Sequence, residues 1–567
     1  MKAYPILCVV LGLVLVLALG GCKAQESSVP TEQPTGEAPV GPGETPLEPT
    51  AVPTEGPVIM RIGGVTGPDC LHPFGCSDHW YFVNPIYEGF TWYGEDCEVV
   101  PALGKSMEVS DDGLTWTIQI PEGVTFSDGT PVDAQAVKDY WDWQVASEVG
   151  SWFAPTRSTV STEAVDATTF RFTTSEPVGS WPTYDSIWQW VLPASVWKAI
   201  PAEEFWDYEN LNPIGTGPYV LTEWVPGEHL IYDARPEYWG GKPPIDRIVY
   251  QQFSNWDAIV QALLAGDIDL TNPTIPIQYY DTLVNAPNVN LEAKAPGYWY
   301  YIVFNLAAEG KKHPAIDDPK VREALDYAID KQQIIDVALL GHGIACPTAY
   351  GCGPIFQDFI DPSLEVTPFD LAKANSLLEE AGYKDTDDDG VRETADGSPL
   401  EFRLFLEAES PEQVTMADML TGWFSQVGVI TQVEAQESGT LLDLVQNQRD
   451  YDMALRLYSG DTDPAYMDYV YSCWAADPGG PNDAGYCSPE FDDLLYQLIA
   501  TVGMEERLPI TYQAEALIAR DRPMINLAGQ EALQAYRSDR FRFEPNSCST
   551  LSGMWDQRSL MRAEVLR

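Results

Sequence analysis

The chain has 567 residues, 45% hydrophobic and 11% aromatic, too many for one compact core, and this points to two or three globular lobes. Lysine and arginine number 32 against 85 aspartates and glutamates, a formal net charge of −53. A field of that sign repels nucleic acid and anionic lipid surfaces, so neither is an expected partner.

At the N-terminus Lys2 precedes an apolar run from Pro5 to Leu19, and Leu19-Gly20-Gly21-Cys22 follows at once. A basic start, a short apolar stretch and small residues before the cut form an export signal over residues 1–21, too short and wrongly flanked for a membrane span. A cysteine after two glycines, with leucine before them, resembles a bacterial lipobox, which implies a lipid on Cys22. Residues 22–57 are rich in Pro, Glu, Thr, Ser and Gly. They bury too little to offset their ordering entropy and are expected to form a disordered tether.

The body alternates strand and helix patterns. Leu114, Trp116, Ile118 and Ile120 alternate with polar residues, a half-buried strand entered from the Asp112-Gly113 turn. Residues 133–144 read as a helix. Strands at 218–224 and 229–234 flank Pro226-Gly227 as a hairpin. Asn255 caps a helix that Gly266 ends, and Ile268 and Leu270 start the next strand. Tyr300 to Leu306 is a buried strand. Asp318-Pro319 opens a helix with Val321, Ala324, Leu325, Ala328 and Ile329 as its buried stripe. A helix from Thr367-Pro368 to Gly382, a strand at 400–406 and further alternation near 416–433 and 492–499 complete an α/β pattern.

Ten cysteines include Cys8 and Cys22. An even remainder in an exported chain favours disulfides, and short loops favour Cys346–Cys352 and Cys473–Cys487. Cys70, Cys76, Cys97 and Cys548 are left with three pairings. The spacing of Cys70 with His72, and of Cys76 with His79, also suits a metal, but an oxidising compartment and the lack of CxxC pairs weigh against it. Asp385, Asp387, Asp389, Glu393 and Asp396 fall near the ligand positions of a calcium loop, with Gly390 at the turn. The last ligand is Asp, not the longer Glu, and a strand replaces the second helix. Any calcium there is expected to be structural, and no cofactor is required.

Several longer stretches, in order, resemble the family-five extracellular solute-binding proteins, the dipeptide and oligopeptide receptors of ABC importers. They include Pro101 to Ile118, Gly123 to Val132, Pro213-Ile-Gly-Thr-Gly-Pro-Tyr-Val, Tyr238-Trp-Gly-Gly-Lys and Ala262-Leu-Leu-Ala-Gly-Asp-Ile-Asp-Leu. Tyr301-Ile-Val-Phe-Asn-Leu, Asp318-Pro-Lys-Val-Arg-Glu-Ala-Leu and Tyr486 to Leu495 continue the series. The resemblance implies an α/β, two-lobed periplasmic-binding-protein-like fold (type II, cluster C-like) with an extra subdomain in the first lobe. The implied borders are 58–89 and 210–297 for lobe I, 90–209 for the subdomain, 298–522 for lobe II and 523–567 for a return to lobe I.

The implied role is capture of a short peptide, with an oligosaccharide as the alternative, and delivery to an ABC permease. The protein is expected outside the cytoplasm as a monomer, touching the membrane through its lipid anchor only. In the family an aspartate of the second lobe often pairs with the peptide's α-amine, and the matching position is Asp461. Asp463, before Pro464, reads as a turn residue. Arg456 lies in the strand where some relatives place a carboxylate-binding arginine, but one residue out of register. Trp80, Tyr81, Trp299 and Tyr458 are expected at the cleft walls, where aromatic rings suit peptide side chains or sugars. The rival class is a secreted hydrolase with paired carboxylates. No GxSxG, HExxH or GxxxxGK occurs, and the five histidines have no helical ligand spacing, so an enzyme is not expected.

Overall fold

The apolar run around Tyr300 lies in a strand much longer than its hydrophobic stretch. This strand, Val289–Phe304, runs antiparallel to Met524–Arg537. It starts well before Tyr300 because Val289 and Leu291 alternate with Asn290 and Glu292, a half-buried pattern that pairs with Gln534–Arg537. Between Lys294 and Tyr298 the register shifts. Pro296 and Gly297 fall in this gap; proline lacks the ladder donor and glycine tolerates the bend, so the pairing is interrupted there.

The computed structural model describes residues 56–566 except 75–79, 95–97, 148–152, 273, 308–309, 349–350, 352–355, 357, 461–462 and 545–555; at 80–81, 294–297 and 459 it describes backbone only. Residues 57–567 form one compact unit. Cys22, the signal and the tether up to residue 55 lie outside the described residues.

Among the described residues the crossing strands divide an eleven-stranded sheet into two halves, and the short strand Gly343–Ile344 pairs with Met524–Arg537 off this path. The first half holds Leu270–Thr271, Ile59–Gly64, Arg247–Gln252, His229–Ala234 and Tyr219–Val225. The second holds Met453–Ser459, Glu401–Glu407 and Ile430–Gln436. Both faces of the second half are buried. Tyr300, Ile302 and Phe304 enter one core with the helix Pro319–Tyr327, whereas Trp299, Tyr301 and Val303 enter another. A separate antiparallel sheet, with strands ordered 106–109, 115–119, 169–174 and 159–164, forms an insert between Ile59–Gly64 and Tyr219–Val225. The helix Ala134–Ala146 packs on this sheet, with Trp141 stacked on Phe172 at 4.3 Å between ring centroids.

Local signals place most helix ends. Asp133 and Asn255 cap their helices by accepting from Ala136 N and Ala258 N, each at 2.9 Å. Gly266 closes the second at φ 82°, a conformation that favours glycine. One predicted boundary is wrong: the helix expected from Thr367 begins at Leu371, capped by Asp370. Thr367 instead donates to Asp326 Oδ2 at 2.6 Å, a tertiary bond that draws it out of the helix. Leu270–Thr271 is a two-residue strand. Among the described residues no helix is long and apolar enough to cross a membrane.

Candidate functional site

Strand pairing builds the site's floor. Trp299 lies opposite Tyr458 and Tyr301 opposite Arg456, so all four side chains share one face of the second half-sheet. Ring centroids lie 6.2 Å apart for Trp299–Tyr458 and 5.9 Å for Tyr301–Tyr458. Tyr466, on the turn after Asp463-Pro464, adds a ring 5.9 Å from Tyr458. These rings, with Met467 and Met524, line a small apolar cavity. Trp299 is 2% exposed and belongs to the core as much as to the cavity, whereas Tyr458 and Tyr466 are half-buried. Burial pushes the Tyr458 and Tyr466 phenols well above their ordinary range, so both stay neutral.

Beneath the rings lies a buried polar group of residues. The Arg456 Nε is 3.4 Å from Asp483 Oδ2, and its Nη1 is 3.3 Å from Glu407 Oε1. Asp483 also accepts from Tyr301 Oη at 3.1 Å and Gln446 Nε2 at 2.8 Å. Burial pulls the Arg456 guanidinium down, but Asp483, Tyr301 and Glu407 outweigh it and hold it above the usual arginine range. Arg456 thus already has two internal carboxylate partners.

The insert meets the second half at this site. Ser180 N donates to Ile499 O at 3.2 Å, and Thr183 Oγ1 donates to Asp463 Oδ2 at 2.5 Å. Asp463 is itself held by Arg507, whose Nη1 lies 2.7 Å from Oδ2, and both side chains are 1% exposed. Arg157 reaches Asp468 at 3.7 Å, and Tyr184 lies 6.4 Å from Tyr466 between centroids. Asp463 also caps its turn by accepting from Ala465 N at 2.8 Å.

Of the residues expected at the cleft, Trp299 and Tyr458 come together. Trp80 and Tyr81 lie in the short helix Trp80–Val83, of which only their backbone is described. Asp461 lies outside the described residues. Tyr466, Asp483, Thr183 and Arg507 join the site from distant positions, and no local pattern marks them. Cys473 and Cys487 are bonded, with Cα atoms 4.4 Å apart. Cys346 is disulfide-bonded, and Cys352 lies outside the described residues. In the acidic loop, Asp385, Asp387, Asp389 and Glu393 bring carboxylate oxygens within 4.8 Å of one another. Asp396, the fifth expected ligand, does not join them. It accepts from Ser398 N at 3.2 Å and from the Thr394 hydroxyl, because residues 394–398 close a tight turn of their own.

Residues 98–478 match the bacterial extracellular solute-binding proteins, family 5 (middle region). The glutathione-binding protein GsiB of Shigella flexneri is 28% identical over 492 residues, spanning 84% of this chain and 90% of that protein. The fold matches the oligopeptide-binding protein AppA of Bacillus subtilis, solved with a nonapeptide, at TM-score 0.75 and 21% identity over 90% of this chain and all (100%) of that one. It also matches NikZ of Campylobacter jejuni, solved with Ni(L-His), at TM-score 0.74 and 24% identity over 85% and 94% of the two chains.

Proposed function

Because this chain belongs to family 5 of the bacterial extracellular solute-binding proteins, a two-lobed fold, we propose that it captures a short peptide between its lobes and delivers it to an ABC permease. Lipid on Cys22 would hold it outside the membrane. The observation that carries the peptide reading is the aromatic floor of Trp299, Tyr301, Tyr458 and Tyr466, gathered from the crossing strand, the strand Met453–Ser459 and the turn that follows it. Rings of this kind receive side chains of varied shape, and the family resemblance puts an amine-binding aspartate at Asp461, whose carboxylate would suit a desolvated ammonium. Relatives at 28% identity are named for glutathione, itself a tripeptide, which supports the same class.

Mass spectrometry of the ligand that co-purifies with the native protein tests the reading directly; a sugar in place of a peptide sinks it. Asp461→Ala is expected to weaken peptide binding by more than about tenfold, the scale of one lost charge pair. Calorimetry showing unchanged affinity would remove Asp461 from the site. An oligosaccharide is the second reading, favoured by the same rings, and predicts heat on titration with sugars and none with peptides.

We further propose that the loop of Asp385, Asp387, Asp389 and Glu393 binds a structural calcium ion, supported by the convergence of its four carboxylates. Calcium is expected to raise the unfolding midpoint and a chelator to lower it. An identical midpoint in both, together with no calcium in elemental analysis, would eliminate the site.

A further inference from the structure

Three contacts already described, Ser180 to Ile499, Thr183 to Asp463 and Arg157 to Asp468, join the insert to the second lobe. A fourth is a close backbone approach. A Cβ placed on Gly179 would lie 2.0 Å from Thr501 O, so only glycine allows this docking. Asp185 sits in the same interface, on the short helix Asp185–Trp188, and is 4% exposed. Among the described residues its Oδ1 has one long contact, 3.4 Å from Ala154 N, and its buried Oδ2 has no hydrogen-bond partner.

The charged groups facing Asp185 come from both lobes. Arg157, on the helix Ala154–Ser158 of its own lobe, favours the ionised form. Asp463 and Asp468, across the interface, oppose it. Each of those carboxylates has its own partners: Arg507 and Thr183 hold Asp463, while Arg157 and Trp474 hold Asp468. An ionised Asp185 would therefore stand dry, under-bonded and opposite two like charges.

We propose that Asp185 makes lobe closure pH-sensitive: the lobes clasp while it keeps its proton and part as it loses it. Desolvation, with Asp463 and Asp468, pushes the Asp185 carboxyl up to about 7 in the closed form, and Arg157 only partly offsets this. Parting the lobes admits water and removes the two opposing carboxylates, which returns the group toward its ordinary value. A carboxyl raised in the closed form favours closure fully below its ordinary range. That advantage drains away as pH rises toward 7 and is gone above it. The inference rests on the two-lobed fold and the interface alone, not on which ligand the cleft takes.

Small-angle scattering of the full chain, with no ligand added, tests it by comparing the closed-to-open ratio at pH 4.5 and 7.5. The wild type is expected to lose at least about tenfold in that ratio, since one unit of pKa difference is a factor of ten. Asp185→Asn, neutral at both values, is expected to stay compact. Gly179→Val, which cannot dock, supplies the open reference and is expected to be expanded at both. A wild type indifferent to pH, an Asp185→Asn variant that opens as the wild type does, or a Gly179→Val variant as compact as the acid wild type would each overturn the proposal. Should Asp185→Asn not fold by circular dichroism, Asp468→Asn must shrink the loss, and an undiminished loss is equally fatal.

Discussion

Trp299 and Tyr458 lie opposite each other across one strand pair, yet they are bound to the protein differently. Trp299 is 2% exposed and packs in the core, whereas Tyr458 is half-buried and lines the cavity. Trp299→Ala is therefore expected to cost about 3–5 kcal/mol of stability, the usual range for an emptied core tryptophan. Tyr458→Ala should leave stability nearer the wild type and weaken ligand binding by up to about tenfold, the worth of one aromatic contact. Denaturant unfolding and titration of the co-purified ligand, run on both variants, separate the two roles. Equal stability losses would show that Tyr458 is simply another core residue. Arg456, one residue out of the register in which some relatives place a carboxylate-binding arginine, has its guanidinium paired with Asp483 and Glu407 instead.

The stretch from Cys473 to Cys487 is an element closed by a covalent tie. It contains a 3-10 turn at Trp474–Ala476, and its Asn482 bonds back to Ser472 O and Tyr486 O. It also supplies Asp483 to the site, so tethering its ends positions the carboxylate that holds Arg456. Closing a loop with a sequence separation of 14 should contribute about 3 kcal/mol by restricting the unfolded chain. The Cys473→Ser, Cys487→Ser double variant is expected to lose that amount in equilibrium unfolding, and an unchanged midpoint would show the bond to be dispensable.

Across the whole molecule, buried acids and paired surface acids pull stability in opposite directions with pH. Burial raises Glu88, Asp185 and Glu515 each to about 7. Their contribution is full below the ordinary carboxylate range and is lost as pH climbs toward 7. Asp233, Asp246, Asp450 and Asp539 are lowered by Arg247, Lys242, Arg403 and Arg537, and their contribution vanishes as pH falls through the ordinary range and below. The thermal midpoint is therefore expected to peak at mildly acid pH and to fall on either side. Glu88→Gln should flatten the decline toward neutrality in calorimetric scans, and a midpoint that rises steadily from acid to neutral would contradict this balance. Added salt should raise the midpoint at neutral pH, because a net charge of −53 repels itself.

What lay open in the sequence was whatever forms within a few residues. Asp133, Asn255 and Gly266 bound their helices by contacts three or four positions away, and Val321, Ala324 and Leu325 declare their buried face by spacing alone. The ordered series of family stretches carried the two-lobed fold for the same reason, since turns and caps are local. The site was only half legible. Trp299 and Tyr458 stood out as aromatic, but their meeting needed the strand register. Thr183 and Asp463 are 280 residues apart, and Tyr301 and Asp483 are 182 apart. The first depends on the insert meeting the second half of the molecule and the second on a strand meeting a distant loop within that half, and neither leaves a periodic trace along the chain. Asp185 shows this most plainly. In the sequence it is one acid among 85, and only the fold, by removing its water and facing it with two like charges, makes its proton matter.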